Sequence, residues 1–243
     1  MRLLILGANS DIALATARRF ARAMNADLTL ASRNVERLEK KARDLELRFA
    51  VKAEAVRFDA LDYDSHHKFY DSLEPKPDAV LLAFGHGGHQ KKAQTDFREG
   101  RRIVETNYLG AISILEIIAA DMESKGRGTI MAISSVAGER GRKTNYAYGA
   151  SKAALTTYLS GLRNRLHGKG VRVMTILPGF VRTKMTEGME LPEKLVAEPD
   201  KVGADILKAF RRSKDVVHTP FIWWPIITVI KALPEFLFKR LSL

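Results

Sequence analysis

A tyrosine and a lysine stand four residues apart in the segment YGASK, at Tyr148 and Lys152. If this segment is helical, both side chains lie on one face and can point into one site. A free tyrosine has a pKa of about 10, which is too high for proton transfer near neutrality. A neighbouring ammonium group lowers that pKa, so the tyrosine can exchange a proton with a substrate oxygen. The pair therefore indicates acid–base chemistry, although the same spacing also occurs in simple surface contacts on helices.

Three further features accompany this pair along the chain. Ser135 ends the apolar run GTIMAISS, thirteen residues before Tyr148. Asn107, in the segment ETNYLGA, interrupts a long apolar helical stretch, where an amide is unfavourable unless it has a hydrogen-bonding task. Pro178 and Gly179 follow the apolar run GVRVMTIL. If these runs are parallel strands, their ends meet at the edge of the sheet that binds ligands.

The first apolar run, RLLIL, leads into the turn GANSDIALA, which begins at Gly7. In phosphate-binding turns, backbone N–H groups and the positive end of the following helix hold the anion. Asp11 and Ala13 stand where such a turn favours glycine. Asp11 falls in the first turn of the predicted helix, where its carboxylate can face solvent and interact favourably with the helix dipole. We expect the turn to hold a phosphate; the alternative is a degenerate turn that binds nothing.

Apolar runs and helical stretches alternate along the chain. Strands are predicted at 2–6, 27–31, 53–58, 78–84, 128–134 and 170–177, and helices at 10–24, 34–48, 64–73, 99–124, 147–167 and 200–212. This alternation predicts an α/β fold with a doubly wound parallel sheet, a Rossmann fold, with helices on both faces. We predict a single domain, in which residues 1–215 contain the site and residues 216–243 form an apolar C-terminal extension rather than a separate domain.

The composition narrows the class of protein further. The 243 residues include 40 basic and 28 acidic side chains, for a net charge of +12. No arginine-rich arm or aromatic platform is present, so we expect no nucleic-acid partner; a phosphorylated cofactor or an anionic lipid surface suits the charge. The absence of cysteine excludes a disulfide framework, a thiolate metal site and a thiol nucleophile. The start, MRLLILGANSD, lacks the pattern of a signal peptide, and we expect a cytoplasmic protein.

Taken together, ETNYLGA, GTIMAISS, YGASK and ILPGFVRT make residues 1 to about 215 resemble the short-chain dehydrogenase/reductase family, in its compact single-domain branch. The resemblance implies catalytic roles for Asn107, Ser135, Tyr148 and Lys152, with Ser135 preferred to Ser134 by its spacing to the tyrosine. It also implies that Lys152 holds the ribose hydroxyls of the cofactor and that Asn107 anchors a water in a proton relay. The cofactor contacts that it implies are Gly7, Asn9, Ser10, Asp11, Ile12, Ser32, Arg33, Asp59, Ala60, Gly85, Tyr148, Lys152, Pro178, Gly179, Val181 and Thr183.

Both loops that face the cofactor depart from the family pattern. The family's T-G-x-x-x-G-x-G turn reads LGANSDIA here and keeps only Gly7, and its N-N-A-G loop reads LAFG and keeps only Gly85. The proton-transfer residues are nevertheless all present. The altered loops leave open a catalytically idle protein that binds NADP(H) as a sensor or scaffold.

The identity of the cofactor depends on the segment ASRN, at the end of the second predicted strand. An acidic residue there would bind the ribose 2′-hydroxyl of NAD(H). Ser32 and Arg33 instead offer hydrogen-bond donors and positive charge, which suit a 2′-phosphate, and Arg37 lies one turn further on. We therefore expect NADP(H) to be preferred, with NAD(H) as the alternative.

These inferences give an NADPH-dependent oxidoreductase that reduces a carbonyl group to an alcohol, reversibly. In the resembled family, the helices that contain Asn107 and Tyr148 pair across a two-fold axis, which implies a homodimer or a homotetramer.

Met185 and Met189 follow Thr183, where that family carries a mobile substrate lid. Flexible methionines suit an apolar, adaptable substrate, although simple packing explains them equally well.

The histidines give weaker indications. His86 and His89 in GHGGHQ have a spacing that could suit a metal, but no cysteine or carboxylate accompanies them in the segment, so no metal site is predicted. We expect them to line a glycine-rich loop beside the substrate. His66, His67 and His167 are interpreted as surface residues of helices.

The segment 216–243 is mostly apolar and contains Trp223 and Trp224 near one end and Lys239 and Arg240 near the other. Its uncharged stretch, 216–230, is shorter than the ~20 residues that a membrane-spanning helix needs. Aromatic and cationic ends suit a segment lying in a membrane interface, so residues 221–243 could make peripheral membrane contact. The alternative is a helix that packs on its own domain or on a second subunit. The tail also resembles that of the keto-reductases of decaprenylphosphoryl-ribose epimerisation, which implies a lipid-linked or long-chain carbonyl substrate.

Overall fold

In the computed structural model, which describes residues 1–241, seven strands form one sheet. They are β1 (Arg2–Leu6), β2 (Asp27–Ser32), β3 (Ala53–Arg57), β4 (Ala79–Leu82), β5 (Gly128–Ile133), β6 (Val171–Pro178) and β7 (Val216–Thr219). Their order is β3-β2-β1-β4-β5-β6-β7, and every neighbouring pair is parallel. The predicted α/β Rossmann fold is confirmed.

Helices connect the strands and cover both faces of the sheet. They are α1 (Asp11–Met24), α2 (Val35–Phe49), α3 (Ser65–Asp71), α4 (Gln90–Thr95), α5 (Phe97–Val104), α6 (Gly110–Lys125), α7 (Tyr146–Leu166), α8 (Pro199–Arg211), α9 (Trp223–Ala232) and α10 (Glu235–Phe238). A π-helical turn, Glu105–Leu109, joins α5 to α6.

Alternation along the strands builds the core. In β1, Leu3 and Ile5 pack with one set of helices, including α1 and α8, while Leu4 and Leu6 pack with the other, including α6 and α7. All four side chains are fully buried. Successive side chains of a strand point to opposite faces, so a sheet covered on both faces needs an uninterrupted apolar strand such as RLLIL.

The order of the strands fixes where a ligand can lie. Consecutive strands run outward from β1 to β3, and the chain then returns to place β4 on the other side of β1. At such a switch point the connections diverge and leave a crevice beyond the carboxyl ends of the strands. A cavity of about 950 Å³ lies there, lined by residues that follow β1, β2, β3, β4, β5 and β6.

Several elements were not predicted. The short helix α4 follows the glycine-rich loop after β4, and β7 lies in the segment 216–243 that the sequence analysis assigns to the extension. The strand VVHT merges into the apolar run that follows it, so hydrophobic periodicity does not separate the two. The sheet therefore continues to Thr219, four residues past the predicted division at 215. The apolar helices α9 and α10 follow it.

One continuous helix, Phe97–Lys125, is long and apolar enough to cross a membrane by length and composition alone. Its apolar residues Ile114, Leu115 and Ile118 are fully buried in the core beside the sheet. Core helices of globular folds meet the same criterion, and the packing of this helix accounts for its composition.

Candidate active site

The cavity brings together nearly all of the residues that the sequence analysis selects. Every predicted cofactor contact lines it, and so do Ser135, Tyr148 and Lys152. Asn107 alone among the predicted site residues does not line the cavity and lies behind its wall.

Ser135 and Ser134 end β5 with different partners. Ser134 is buried, and its hydroxyl donates to the backbone oxygen of Lys152 at 2.9 Å. The hydroxyl of Ser135 accepts a hydrogen bond from Ala137 N at 3.1 Å and contacts the Tyr148 side chain. Ser134 thus fastens the strand end to α7, while Ser135 lies against the tyrosine. This geometry agrees with the preference for Ser135.

Tyr148 and Lys152 share one face of α7, as their spacing predicts. The ammonium nitrogen of Lys152 lies 5.9 Å from the centre of the Tyr148 ring. It donates to the backbone oxygen of Ile133 at 3.0 Å, and the lysine is 3% exposed. Lys152 therefore stands at the end of β5, between the tyrosine and the sheet.

The pKa of Tyr148 differs from the sequence expectation. Burial raises the pKa of Tyr148 to about 12, and the contact with Ser135 lowers it by less. Burial also lowers the pKa of Lys152 to about 8. Desolvation thus outweighs the attraction that the lysine was expected to supply. At neutral pH the phenol is protonated and the lysine remains mostly charged.

Asn107 lies in the π-helical turn, a distortion that frequently occurs at functional sites. Its Oδ1 accepts a hydrogen bond from His86 N at 2.6 Å, and its Nδ2 donates to His86 O at 2.9 Å and to the Ser151 hydroxyl at 3.0 Å. Ser151 in turn donates to the backbone oxygen of Tyr148 at 2.7 Å. Asn107 therefore ties the loop after β4 to the turn of α7 that carries the tyrosine. Its role in holding a water stays a prediction.

The turn after β1 has the features of an anion-binding turn. Gly7 adopts a φ of +86°, and a Cβ there would lie 2.5 Å from Phe84 N, so only glycine fits. Ser10 is the N-cap of α1 but makes no side-chain capping bond. Asn9 donates to the Ser32 hydroxyl at 3.0 Å, while its own Oδ1 is buried without a partner. An uncapped helix N-terminus beside an unpaired amide oxygen fits the phosphate and sugar of a dinucleotide.

Asp11 is the first residue of α1, as predicted, but its carboxylate does not simply face solvent. Its Oδ2 accepts a hydrogen bond from the backbone of Lys184 at 3.1 Å. Lys184 follows Thr183, which also lines the cavity. The residue that breaks the family pattern in the turn therefore links α1 to the segment that carries Met185 and Met189.

Cations collect where β2 ends. Arg33 is exposed and lines the cavity beside Ser32. Lys41 reaches back from α2, and its Nζ donates to the backbone oxygen of Asn9 at 3.3 Å. Burial, followed by the repulsion of Arg37, lowers the pKa of Lys41. This end of the cavity is electropositive.

The tail packs directly on the loop that follows β6. A Cβ on Gly179 would overlap the indole of Trp223, which is 3% exposed. The ring of Phe180 meets that indole edge-on, with centroids 5.1 Å apart. Trp223 and Ile227 form a small apolar cluster with Val136. The residues expected to border the nicotinamide are thus supported from behind by α9.

A second contact fastens the tail to the loop before Tyr148. The guanidinium of Arg140 donates to the backbone oxygens of Ile230, Lys231 and Leu233 at 2.6–3.0 Å. It also pairs with Glu235 at 3.0 Å. Arg140 therefore satisfies the last carbonyls of α9, which a helix end leaves without partners.

The histidine interpretations need two corrections. His66 is fully buried, with its ring nitrogens 2.8 Å from the Ser113 hydroxyl and 3.0 Å from the backbone oxygen of Asp59, so it is not a surface residue. A carboxylate does accompany His86 and His89 in space, because Glu99 lies 3.2 Å from His86 Nε2 and accepts from His89 N at 3.0 Å. Within residues 1–241, no group of three histidine, aspartate or glutamate side chains is arranged to hold a metal ion.

Sequence reasoning also missed residues that shape the site. Glu99, 8% exposed, holds the glycine-rich loop, and Gln90 accepts from Ala147 N at 2.9 Å and so caps the first turn of α7. Arg140 anchors the tail, and Arg142 lines the cavity. Glu99 lies four residues before the buried Ile103, so the two side chains share one face of the helix. This spacing was the available indication that Glu99 faces inward. The others act through contacts distant in sequence.

Comparison with known proteins places the chain in a family. The sequence model of the short chain dehydrogenase family matches residues 2–194. An uncharacterized oxidoreductase of Mycobacterium tuberculosis is 38% identical over 240 residues, which cover 98% of this chain and 95% of the relative. One from Streptomyces coelicolor is 36% identical over 244 residues, with 98% and 95% covered.

Among solved structures, a short-chain dehydrogenase from Sphingobium yanoikuyae in complex with NADPH superposes with a TM-score of 0.84. It is 26% identical, and the match covers 99% of this chain and 96% of that chain. The matched family segment contains Ser135, Tyr148 and Lys152. The protein belongs to the short-chain dehydrogenase/reductase family and is an oxidoreductase of that family.

Proposed function

We propose that this protein is an NADPH-dependent oxidoreductase that reduces a carbonyl group to an alcohol, reversibly. The observation that carries the proposal is the convergence of Ser135, Tyr148 and Lys152 on the cavity that also contains the Gly7 turn. A bound nicotinamide cofactor supplies the hydride in such chemistry, and the protein supplies position, a proton and electrostatic stabilisation.

Each of the three side chains has a role that its surroundings support. The Ser135 hydroxyl donates a hydrogen bond to the carbonyl oxygen and orients it. Tyr148 gives its proton to that oxygen as the alcohol forms. Burial raises the pKa of Tyr148 to about 12, which keeps the phenol in its proton-donating form at neutral pH. Lys152 binds the ribose hydroxyls of the cofactor and stabilises charge beside the tyrosine.

Preference for NADP(H) over NAD(H) rests on the cations at the end of β2. Arg33 makes no ion pair within residues 1–241 and is free to meet a 2′-phosphate. Asp59 and Ala60 follow β3 and border the adenine end, where Asp59 Oδ1 accepts from Leu61 N at 3.1 Å. The relative solved with NADPH supports the same preference.

We expect the substitution Arg33→Asp to move the preference toward NAD(H), because it replaces attraction by repulsion at the 2′-phosphate. A charge-assisted hydrogen bond contributes about 1.5–3 kcal/mol, so the ratio of the two affinities should change by roughly ten- to a hundred-fold. Fluorescence titration with NADPH and NADH measures both dissociation constants. Arg43→Asp makes the same charge change on α2 at a residue that does not line the cavity, and it should leave the ratio unchanged. An unaltered ratio in Arg33→Asp excludes this residue as the reader of the phosphate.

The reaction class has a direct test. Loss of NADPH absorbance is followed with the purified protein and a panel of ketones and aldehydes, ranging from small polar compounds to long-chain ones. We expect oxidation of NADPH with at least one member. The departures in the two cofactor loops favour a second candidate, a catalytically idle NADP(H)-binding sensor or scaffold. That candidate predicts cofactor binding without turnover of any member.

We propose an apolar or lipid-linked carbonyl substrate, met at a membrane surface. Met185 and Met189 line the cavity and are 45% and 54% exposed, so flexible apolar groups stand at its mouth. The resemblance of the tail to reductases of a lipid-carried keto-sugar supports the same class. A cytoplasmic protein with peripheral membrane contact fits this role.

The exposed face of the tail supports membrane contact. One side of α9 packs on the domain through Trp223 and Ile227, which agrees with the alternative that the tail packs on its own domain. Large apolar groups on α9 and just before it remain in solvent: Phe221 is 70% exposed, Trp224 is 50% exposed and Val229 is 63% exposed. Contiguous exposed apolar patches mark interaction sites, and a net charge of +12 adds attraction to anionic lipids.

We expect the protein to sediment with vesicles of phosphatidylglycerol and phosphatidylcholine at low salt and to be released at high salt. The triple variant Phe221→Ser, Trp224→Ser and Val229→Ser should lose this binding and keep its activity, since Trp223 and Arg140 still hold α9 in place. Leu47→Ser removes an exposed apolar group, 80% exposed, from α2 and serves as the control. Failure of the intact protein to bind these vesicles, or self-association through the same residues, contradicts the membrane proposal.

A homodimer or homotetramer is proposed from the family resemblance. Phe97, Val104 and Leu109 are exposed apolar residues along the helix that runs from α5 into α6, which supports a subunit contact on that side.

A further inference from the structure

Arg142 lines the cavity, and no acidic side chain within residues 1–241 pairs with its guanidinium group. It lies in the loop between β5 and α7, six residues before Tyr148. Its Nε and Nη2 are buried, and neither makes a hydrogen bond in the structure. Desolvation by burial lowers the pKa of Arg142, and no neighbouring acid opposes that effect. A guanidinium stays protonated under these conditions, so the folded protein maintains an uncompensated positive charge at this point.

Other arginines use their guanidinium groups in hydrogen bonds, and Arg18, whose Nε is also buried without a partner, does not line the cavity. Arg140, two residues earlier, makes four hydrogen bonds to the tail. Arg163 and Arg172 each use their guanidinium groups on backbone and hydroxyl oxygens of the core. Buried polar groups in native proteins nearly always have partners, and an exception calls for an explanation such as a ligand. Arg142 is an exception that faces a cavity.

The position of Arg142 separates it from the proposed phosphate contacts of the cofactor. Arg33 follows β2, whereas Arg142 follows β5, and β1 and β4 lie between these strands. Strands are spaced about 4.8 Å apart, so the two strand ends are separated by about 14 Å. Arg142 therefore lies on the half of the cavity that contains Ser135 and Tyr148.

The charges around that half are of one sign. Lys91 and Arg102, which follow β4, also line the cavity. Among residues 1–241 that line it, the only carboxylates are Asp11 and Asp59. Asp11 accepts a hydrogen bond from Lys184 N, and Asp59 lies beyond β3 at the adenine end. No lining carboxylate therefore stands on the same loops as Arg142, Lys91 and Arg102.

We infer that Arg142 recognises an anionic group, a phosphate or a carboxylate, on the carbonyl compound that the enzyme reduces. Arginine presents a planar fork of donors that fits both oxyanions. Asn145, three residues on, lines the same region, and its Oδ1 is buried without a partner, so it can accept a hydrogen bond from a hydroxyl group of the same molecule. This inference rests on the proposed function and adds to it the charge of the substrate.

Binding measurements test the inference without requiring turnover. The protein, saturated with NADP⁺ to occupy the cofactor phosphate contacts, is titrated by calorimetry with phenyl phosphate, benzoate and benzyl alcohol. These probes share a ring and differ in their polar group. We expect one or both anions to bind and the neutral alcohol to bind at least about tenfold more weakly, as expected for a charge-assisted contact. If phenyl phosphate binds more tightly than benzoate, the site recognises a phosphate group. The reverse order of affinities indicates a carboxylate.

The variant Arg142→Met removes the charge and keeps much of the side-chain length. We expect it to lose roughly ten- to a hundred-fold in affinity for the anion and nothing for benzyl alcohol. Lys91→Met is the matched control, because it removes one positive charge from an exposed residue at the same cavity, and it should change the affinity by less than about threefold, as surface charge contributions are small. Arg142→Lys should restore part of the affinity.

Thermal unfolding supplies a second readout. Removal of an unpaired buried charge relieves a desolvation penalty, so Arg142→Met without ligands should melt at the same temperature as the wild type or higher. A structural arginine would instead lower the melting temperature when replaced.

Unchanged anion affinity in Arg142→Met, or equal binding of the anions and the alcohol by the wild type, overturns the inference. Neither result bears on the reductase activity itself, which NADPH oxidation measures separately. Conversely, an absence of turnover with every carbonyl compound refutes the proposed function and leaves the anion titration to be judged on its own.

Discussion

Replacement of Tyr148 by phenylalanine is expected to reduce kcat for carbonyl reduction by on the order of 10² to 10⁴, the usual contribution of a positioned general acid. The substitution removes only the hydroxyl that contacts Ser135 and keeps the ring that packs in α7. The dissociation constant for NADPH should therefore stay within about twofold of the wild-type value, because the phenol is proposed to act on the substrate oxygen. Steady-state rates and fluorescence titration provide the two numbers.

Tyr146 offers a matched control two residues away. It begins α7, is 46% exposed and does not line the cavity. Tyr146→Phe removes the same atom from the same helix and should leave kcat unchanged. Retention of more than a few per cent of activity by Tyr148→Phe would mean that another group donates the proton.

Lys152→Met is expected to impair both catalysis and cofactor binding. The ammonium group is proposed to stabilise charge beside the tyrosine and to bind the ribose hydroxyls, so one substitution removes two functions. We expect kcat to fall on the order of a hundredfold and the dissociation constant for NADPH to rise on the order of tenfold, as loss of a charge-assisted hydrogen bond predicts. The affinity loss separates this variant from Tyr148→Phe.

Stability gives an independent check on the same lysine. Burial lowers the pKa of Lys152 from 10.5 to about 8, which corresponds to about 3 kcal/mol of unfavourable burial of the charge at neutral pH. Because the folded state binds the proton less tightly, the wild type should gain stability as pH rises from about 8 to above 10. Lys152→Met lacks this dependence and should be at least as stable as the wild type at pH 7. A strongly destabilised variant would show that the lysine is held for structural reasons.

The pattern of apolar runs and residue spacings along the sequence was sufficient to predict the fold and most residues of the site. Strands buried on both faces read as continuous apolar runs, so RLLIL and DAVLLAF could be recognised without tertiary information. The order of strands and helices then placed Ser135 and the Gly7 turn at one edge of the sheet. Helical spacing placed Tyr148 and Lys152 on one face, and the structure has them there.

Features that depend on distant partners could not be predicted. His66 looked like a surface residue because its partners, Ser113 and the backbone of Asp59, belong to other segments. The carboxylate of Glu99 and the guanidinium of Arg142 reach the site only after the chain has folded. The raised pKa of Tyr148 likewise results from burial, and burial cannot be inferred from the spacing of residues in the sequence.

The contacts of the C-terminal segment also depend on residues that are distant in sequence. Its apolar composition suggested either packing or membrane contact, and the structure shows Trp223 and Ile227 buried in a cluster against which Ile226 and Ile230 also pack. Arg140 and Glu139 bind the tail from the loop that precedes Tyr148, with Glu139 2.9 Å from His218 and 3.2 Å from Lys231. The tail is therefore joined to the wall of the active site, and its exposed face is available to a partner.

This cavity is proposed to use NADPH to reduce a carbonyl group, with Tyr148 as the proton donor. The most direct measurement follows NADPH binding and NADPH oxidation in parallel for the wild type and Tyr148→Phe, with the same panel of ketones and aldehydes. We expect equal NADPH affinity in both proteins, and carbonyl-dependent oxidation in the wild type alone. Oxidation at equal rates in both proteins, or binding without oxidation by the wild type across the whole panel, would contradict it.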